Sequence, residues 1–457
     1  MLTRRYLLVL VLLPALAPFA VLAQAPPYPS FITITVTERG GTARTGWPVT
    51  VGVPIRCGEV KDPSTFLYLV RSDLGKNEPV PFQLFDIVTP TAGPEIQAAI
   101  KAPDFPKDRL IMRLFEIGFP VDLQPNAANT YLLYYGTPTG PVTPVAPPVP
   151  LGYTGDNPGI SIDAGDVIFH LNPKSGSVLY FTPKFSAEKK DYHFKQAARR
   201  DVHYNPDVFV PQLSWGHISD WDMTQPGLYA PTVKIARGPF AYRSFRTGVI
   251  PRSNETKATV TYTFYAGLPF FYTSSSMEFT LDTNVFSVRN SEYVFSRGMM
   301  THGFWADENG NPKDTPLLDP ANPARVFGKV AVLPSNIPYL GMFNEVDGVG
   351  ICLVNLAYYV GPHNMADDAA NLWSQFYISD PGLHMPNNPV FAFTYLVRPE
   401  IYHQTVVPKG AIFAERNAIV IFRVGQGDKR YEDLLRWIKL IRTPPAVNVS
   451  PVIMPPL

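Results

Sequence analysis

Apolar and polar residues alternate with a period of two along much of this chain. The clearest stretch is Lys257–Phe295. Thr259, Thr261 and Thr263 interleave with Val260, Tyr262 and Phe264, a β-branched and aromatic run with one face packed and one wet. Ala266-Gly267-Leu268-Pro269 breaks the run as a hairpin connection, and Met277, Phe279 and Leu281 then alternate with Glu278 and Thr280. Asp282-Thr283-Asn284 turns the chain into a third run, Val285–Phe295. These segments predict antiparallel strands of a wide sheet with one buried face. Phe31–Thr37 alternates in the same way, and Val49–Ile55, Thr65–Arg71, Leu110–Phe115 and Thr130–Tyr135 read as further strands. Pro79–Leu84 reads as an edge strand, where proline is tolerated. About seven short strands in that region match the number in an immunoglobulin-like sandwich.

The segment 140–150 is dominated by proline, which favours an extended path, and it separates this first body (24–139) from a second β region at 151–426. Further strands are predicted at Val167–Leu171, Val178–Phe181, Thr232–Ala236, Tyr242–Val249, Val326–Leu333, Gly350–Leu356, Val390–Val397 and Asn417–Val424, with Ser186–Tyr204 as a loop. One segment follows helical periodicity. In Asp428–Ile441 the positions Tyr431, Leu434, Leu435, Ile438 and Ile441 share a face, with Glu432 and Asp433 early and Lys439 and Arg442 late, as the helix dipole favours. Pro444-Pro445 stops it, so 427–457 reads as a helix and a proline-rich tail. The fold class expected is all-β, a sandwich followed by a larger β body, with one C-terminal helix.

Composition agrees with this. Aromatics make up 13% of the 457 residues, there are 49 prolines, and charged residues are only 17%, below the roughly 25% of an average globular chain. A net charge of +1 excludes the strongly basic profile of a nucleic-acid binder. The N-terminus reads as a signal peptide: Arg4-Arg5, an apolar run from Tyr6 to Leu22, and a cleavage position after Ala23. Thr3-Arg4-Arg5-Tyr6-Leu7-Leu8 also resembles a twin-arginine signal. No later stretch has the ~20 uninterrupted apolar residues of a membrane span, so the expectation is an exported, extracellular protein. In an oxidising compartment Cys57 and Cys352 can pair; the alternative is two small buried residues that never meet. Asn254-Glu255-Thr256 and Asn448-Val449-Ser450 are glycosylation sequons.

No nucleophile elbow, zinc-protease motif or phosphate loop is present, and no cofactor or metal is implied. Asp307-Glu308-Asn309-Gly310-Asn311 has calcium-loop residues out of register and reads as a hairpin turn. Two clusters mix aromatics with ionisable groups. The first comprises His203, Tyr204, Asn205, Trp215, His217, Asp220, Trp221, Asp222 and Tyr229, in a Gly/Pro-punctuated stretch that reads as loop at a sheet rim. The second comprises His302, Trp305, Asp307, His363, Asn364, Trp373 and His384. Aromatic faces beside carboxylates and amides suit sugar rings, through stacking on C–H faces and hydrogen bonds to hydroxyls. The alternative is that the aromatics plug loops onto the sheet and the histidines sit idle at the surface.

The order of segments resembles that of the exo-acting rhamnogalacturonan-lyase-like proteins. Val36-Thr37-Glu38-Arg39-Gly40-Gly41-Thr42-Ala43-Arg44-Thr45-Gly46, with Pro48–Pro54, is similar to their first-domain line, and Thr130–Gly136 to the strand that closes that domain. Ile162–Asp166, Arg237-Gly238-Pro239 and Tyr265–Phe270 resemble segments of their second domain, a galactose-mutarotase-like supersandwich. The resemblance covers about residues 31–300 and implies an immunoglobulin-like sandwich followed by that supersandwich. The helical toroid of full-length members has no counterpart here, and no family catalytic residue matches a position.

The resulting expectation is a secreted carbohydrate-active or carbohydrate-binding protein, its partner a carbohydrate polymer. If it is a lyase, β-elimination at a uronic acid needs a base, a cation for the carboxylate and an acid for the leaving oxygen. His217 or His302 is the candidate base, Tyr229 the acid, and Arg243 or Arg246 the carboxylate clamp. Trp215, Trp221, Asp220, Asp222, Trp305 and Trp373 are the candidate substrate contacts. The competing expectation is a non-catalytic extracellular subunit of a surface layer, sheath or filament, self-associating through edge strands.

Overall fold

The structure is a computed structural model, and it describes residues 28–56, 67–72, 77–88, 112–141, 145–147, 150–186, 190–193, 206–227, 229–253, 255–296, 298–317, 328–334, 336–361, 376–380, 393–401 and 403–450. The expected all-β chain is what folds, and the helix Glu432–Arg442 is the one α-helix among the described residues. That helix buries Leu434, Ile438 and Ile441 as their spacing predicts, while Leu435 stays outside. A 3-10 turn, Gly427–Lys429, precedes it.

Two sheets form the first body. One runs Ala446–Val449, Ser30–Thr37, Ala128–Tyr135, Leu67–Arg71 and Glu78–Pro79; the other runs Arg44–Arg56, Met112–Leu123 and Gln83–Val88. Alternation puts Ile32, Ile34 and Val36 inside, each almost fully buried, against Phe115, Ile117 and Phe119 of the second sheet. The last strand is a surprise of connectivity. After Pro444-Pro445 the chain returns to the first body, pairing Val449 with Ile34 and Ala446 with Thr37.

The helix end is tied to the same body by Glu38-Arg39-Gly40-Gly41 and Arg44. Arg44 lies fully buried and donates to the Leu440 carbonyl at 2.8 Å and to the Thr443 carbonyl, where the helix leaves acceptors unmet. Glu38 holds Arg44 by a buried ion pair and accepts from the Gly40 N–H at 2.5 Å. The segment that carries the family resemblance is therefore a clasp on the C-terminal helix.

In the second body a sheet of nine described strands is the central layer. Its order is Thr232–Arg237, Ala241–Val249, Lys257–Tyr265, Phe270–Glu278, Ile412–Arg423, Val349–Gly361, Tyr339–Asn344, His302–Ala306 and Pro312–Pro316. The Thr/aromatic alternation of 259–264 holds: Val260, Tyr262 and Phe264 are completely buried. Their face is covered by two sheets. A five-stranded meander over 152–193 places Phe169 5.0 Å from Phe264 and 5.3 Å from Phe271. A six-stranded sheet carries Ser214–His217, Asp207–Val210, Ser287–Ser296, Phe393–Ile401, Phe376–Asp380 and Gly328–Leu333, in that order. The opposite face of the nine-stranded sheet receives the first body and the helix, with Phe270 5.7 Å from both Trp47 and Trp437.

The strand Ser287–Ser296 shifts register against Phe393–Ile401 between Val288 and Ser291. Such a bulge breaks the alternation, so Asn290 and Ser291 both reach toward the nine-stranded sheet. Asn290 accepts from Ser275 Oγ at 2.7 Å, and Ser291 meets Glu415, which faces Arg398. Burial pushes the Glu415 carboxyl up despite Arg398. Cys352 is a buried free thiol, and Cys57 lies outside the described residues.

Candidate functional site

The stretch around Trp215 is not a loop. Asp207–Val210 and Ser214–His217 form a tight hairpin at the edge of the six-stranded sheet, in the register Asp207↔His217 and Phe209↔Trp215. Residues directly opposite in an antiparallel pair point to the same face. Asp207 and His217 are therefore neighbours by backbone geometry alone. His217 Nδ1 lies 2.9 Å from Asp207 Oδ2. A carboxylate only accepts, so the proton on this contact belongs to Nδ1.

Asp207 is completely buried and is held from a second side by Arg289, whose Nε lies 2.9 Å from Asp207 Oδ1. The pairing Asp207↔Arg289 across the next strand makes that contact possible. Burial opposes the charge on Asp207, but the Arg289 guanidinium and the His217 N–H outweigh it and hold this carboxyl below the usual carboxylate range. Arg289 also reaches Glu292 at 2.9 Å and lies 4.0 Å over the Trp215 ring. Trp215 stacks parallel to the His217 imidazole at 5.8 Å and meets Phe209 at 5.1 Å. The result is a partly open aromatic ledge beside an imidazole whose orientation is fixed by a buried, paired carboxylate. His217 itself is largely buried, with 11% of its side chain exposed, and its Nδ1 is engaged by Asp207.

Gly216 lets the hairpin sit where it does. A Cβ there would lie 1.8 Å from the Pro251 carbonyl oxygen, a backbone atom that cannot step aside. Gly216→Ala is expected to cost about 1–3 kcal/mol and to displace Trp215 and His217 together. Urea denaturation followed by tryptophan fluorescence, compared with the same measurement on Trp215→Phe, reads both; an unchanged midpoint and spectrum would contradict the close approach.

Of the other residues singled out from the sequence, Asp220 lies in the 3-10 turn Ile218–Asp220 and pairs with Arg252, which also donates to the Trp215 carbonyl at 2.7 Å. This brings Arg252, with 44% of its side chain exposed, alongside the ledge. Trp221 is buried and donates its indole N–H to the Val249 carbonyl at 2.7 Å. Asp222 accepts from the Thr224 N–H at 3.0 Å and faces Lys174 at 3.6 Å. Tyr229, 38% exposed, is on the loop that follows, its carbonyl accepting from the Asp222 N–H at 3.3 Å.

Arg243 and Arg246 are three positions apart on one strand and so face opposite sides of the sheet. They cannot clamp one carboxylate. Arg243 pairs with Glu116 of the first body at 2.7 Å and covers Phe85. Arg246 is fully buried, donating to the Ser175 carbonyl at 2.5 Å with its guanidinium 4.7 Å over the Tyr262 ring. His302 and Trp305 likewise face opposite sides of the nine-stranded sheet. The His302 ring lies flat on Phe343 at 4.8 Å, and Lys313 sits 6.0 Å from the Trp305 ring. Trp373, His203, Tyr204, Asn205, His363, Asn364 and His384 lie outside the described residues. Sequence reasoning missed Asp207, Arg289, Glu292 and Arg252. Among the described residues no three His, Cys, Asp or Glu side chains group as metal ligands, and no helix is long and apolar enough to cross a membrane.

No protein-family model matches the chain, and no curated protein matches it. Solved structures do. A glycosyl hydrolase family 38 protein from Enterococcus faecalis superposes with a TM-score of 0.51 at 8% identity, covering 92% of this chain and 47% of that one. An alpha-mannosidase from Enterococcus faecalis V583 gives the same TM-score and identity, with 92% and 46% covered. The chain thus spans about half the length of either protein, and at this identity the likeness is one of fold.

Proposed function

We propose that this chain is an exported carbohydrate-active protein and that the Asp207–Val210/Ser214–His217 hairpin is its site. The observation that carries this reading is the buried Asp207 carboxylate fixing His217 beside the Trp215 ledge. A general base needs a fixed tautomer, and a sugar needs a flat apolar face next to hydrogen-bonding groups. The fold likeness to glycoside-hydrolase proteins supports the same class.

The finer reading is a lyase-like action on acidic polysaccharide, in keeping with the resemblance to rhamnogalacturonan-lyase-like proteins. His217 Nε2 takes the C5 proton of a uronic acid, the C4–O bond breaks, and a C4–C5 double bond forms. The leaving oxygen takes a proton from Tyr229 or from water. Arg289 is committed to Asp207 and Glu292, so the substrate carboxylate falls to Arg252, whose exposed pairing with Asp220 is easily exchanged.

The test is incubation with polygalacturonate, rhamnogalacturonan and alginate, following absorbance of new double bonds. Turnover of one of them is expected, falling about 10²–10⁴-fold in His217→Gln. Trp215→Ala is expected to weaken glycan binding by about 0.5–1.5 kcal/mol. Neither turnover nor binding on any glycan would overturn the reading, and ordered polymers in the microscope would then mark an extracellular structural subunit. Export is checked by the N-terminus of secreted protein, expected at Gln24.

A further inference from the structure

A cavity of about 460 Å³ opens where the first body, the proline-rich link and the second body meet. It shares no residue with the His217 hairpin. Its apolar walls include Pro79, Pro81, Pro120 and Pro147, with Phe240 and Leu268 of the second body. Its charged groups are Arg71, Glu78 and Asp122, Tyr131 also lines it, and Thr45 is exposed. Asp122 is oriented by the Gly46 N–H, which donates to Oδ1 at 2.7 Å. Gly46 (φ +58°) and Gly267 (φ +74°) line the space in left-handed conformations, and no atom lies within 4 Å of where a Cβ would stand. At both positions the backbone takes a conformation that other residues adopt only with strain.

We propose that this cavity binds a neutral monosaccharide or the neutral end of a glycan chain. Its size falls in the range of small-molecule sites, which favour domain junctions. The carboxylates of Glu78 and Asp122 on its wall disfavour a uronate. A purely apolar ligand would strip water from Asp122, Glu78 and Arg71 without replacing their hydrogen bonds. A neutral sugar ring meets both demands: its C–H faces lie on the proline walls, and adjacent hydroxyls donate to a carboxylate and accept from the guanidinium. Because the walls belong to both bodies, the bound sugar bridges them and raises the melting temperature of the whole chain. The site differs from the His217 ledge in residues and in ligand charge, so either can stand without the other.

The test titrates the full chain with the methyl glycosides of glucose, galactose, mannose and rhamnose, and with glucuronate, by calorimetry and thermal shift. At least one neutral glycoside is expected to bind and raise the melting temperature. Thr45→Trp at the mouth and Ala266→Trp on the hairpin are each expected to weaken it by about tenfold or more, while His217→Gln leaves it unchanged. Thr45 is exposed, so that variant keeps the test available if Ala266→Trp fails to fold. The proposal is overturned if no neutral glycoside binds, if both tryptophan variants bind as the parent does, or if glucuronate binds as tightly as the neutral sugars and is weakened by the same tryptophan substitutions.

Discussion

Arg44→Met is expected to destabilise the chain by about 3–5 kcal/mol. The substitution leaves Glu38 as a buried carboxylate facing only N–H groups, Gly40 at 2.5 Å and Thr42 at 3.5 Å. It also strips the helix Glu432–Arg442 of the donor that meets its Leu440 and Thr443 carbonyls. Trp437, which packs on Phe270, then reports loosening of the helix by fluorescence before global unfolding. Replacing both partners, Glu38→Leu with Arg44→Met, is expected to recover most of the loss, because no uncompensated charge then stays inside. A single variant as stable as the parent would show that the clasp contributes nothing.

The pH dependence has a definite sign. Burial alone would raise the Glu38 carboxyl, but the hydrogen bond and charge of Arg44, with the Gly40 and Thr42 N–H groups, reverse this and depress it. A depressed carboxylate contributes stability that is complete above its unfolded value, about 4.3, and is lost as pH falls through the folded one. The parent should therefore lose stability on acidification below that range. Without Arg44 burial dominates and the carboxyl moves up, so the gap between parent and Arg44→Met should narrow as the pH falls. Urea midpoints at neutral pH and near pH 3.5 measure this directly.

Much of the architecture could be read from periodicity, because burial on one face leaves a period of two in strands and of 3.6 in the helix. Lys257–Tyr265 and Glu432–Arg442 are the plain cases. Arg246 shows where that reading stops. It points into the sheet interior while its neighbour Phe245 is only half-buried, the reverse of what side-chain polarity suggests. Cation–π contact with Tyr262 and a carbonyl acceptor make its burial tolerable, and neither partner is near it in sequence. The clasp of Glu38 and Arg44 on the helix end spans nearly the whole chain and leaves no local mark.

The site was half legible. Trp215 and His217 stood out by residue type, and the hairpin that pairs them with Asp207 was signalled by Asp207-Val208-Phe209-Val210, a β-rich run ending at Pro211. Taking that segment as loop hid the register, and with it the carboxylate. Arg289, 82 residues further on, depends on a strand pairing that no local pattern encodes.

Asp207→Asn is the sharper test of how the ledge works. The amide keeps the volume and one acceptor but loses the charge. If its Nδ2 turns toward the imidazole, the His217 proton is driven onto Nε2, the atom that must accept one during catalysis. Turnover is expected to fall about 10²–10⁴-fold, with glycan binding on Trp215 retained. Asp207→Ala goes further. Arg289 loses its Asp207 partner in a buried setting while keeping Glu292, and the expected cost is about 3–5 kcal/mol. Because the Asp207 carboxyl is held low in the folded chain, its contribution to stability fades as pH falls through that depressed value, and the parent and Asp207→Asn should converge on the acid side. Turnover of Asp207→Asn at the parent's rate would detach the carboxylate from the chemistry, leaving His217 to act without it. A rate lost in step with stability across Asn and Ala would assign Asp207 to holding the hairpin together. Only a rate lost while the fold and the binding persist places the carboxylate in the orientation of the proton acceptor.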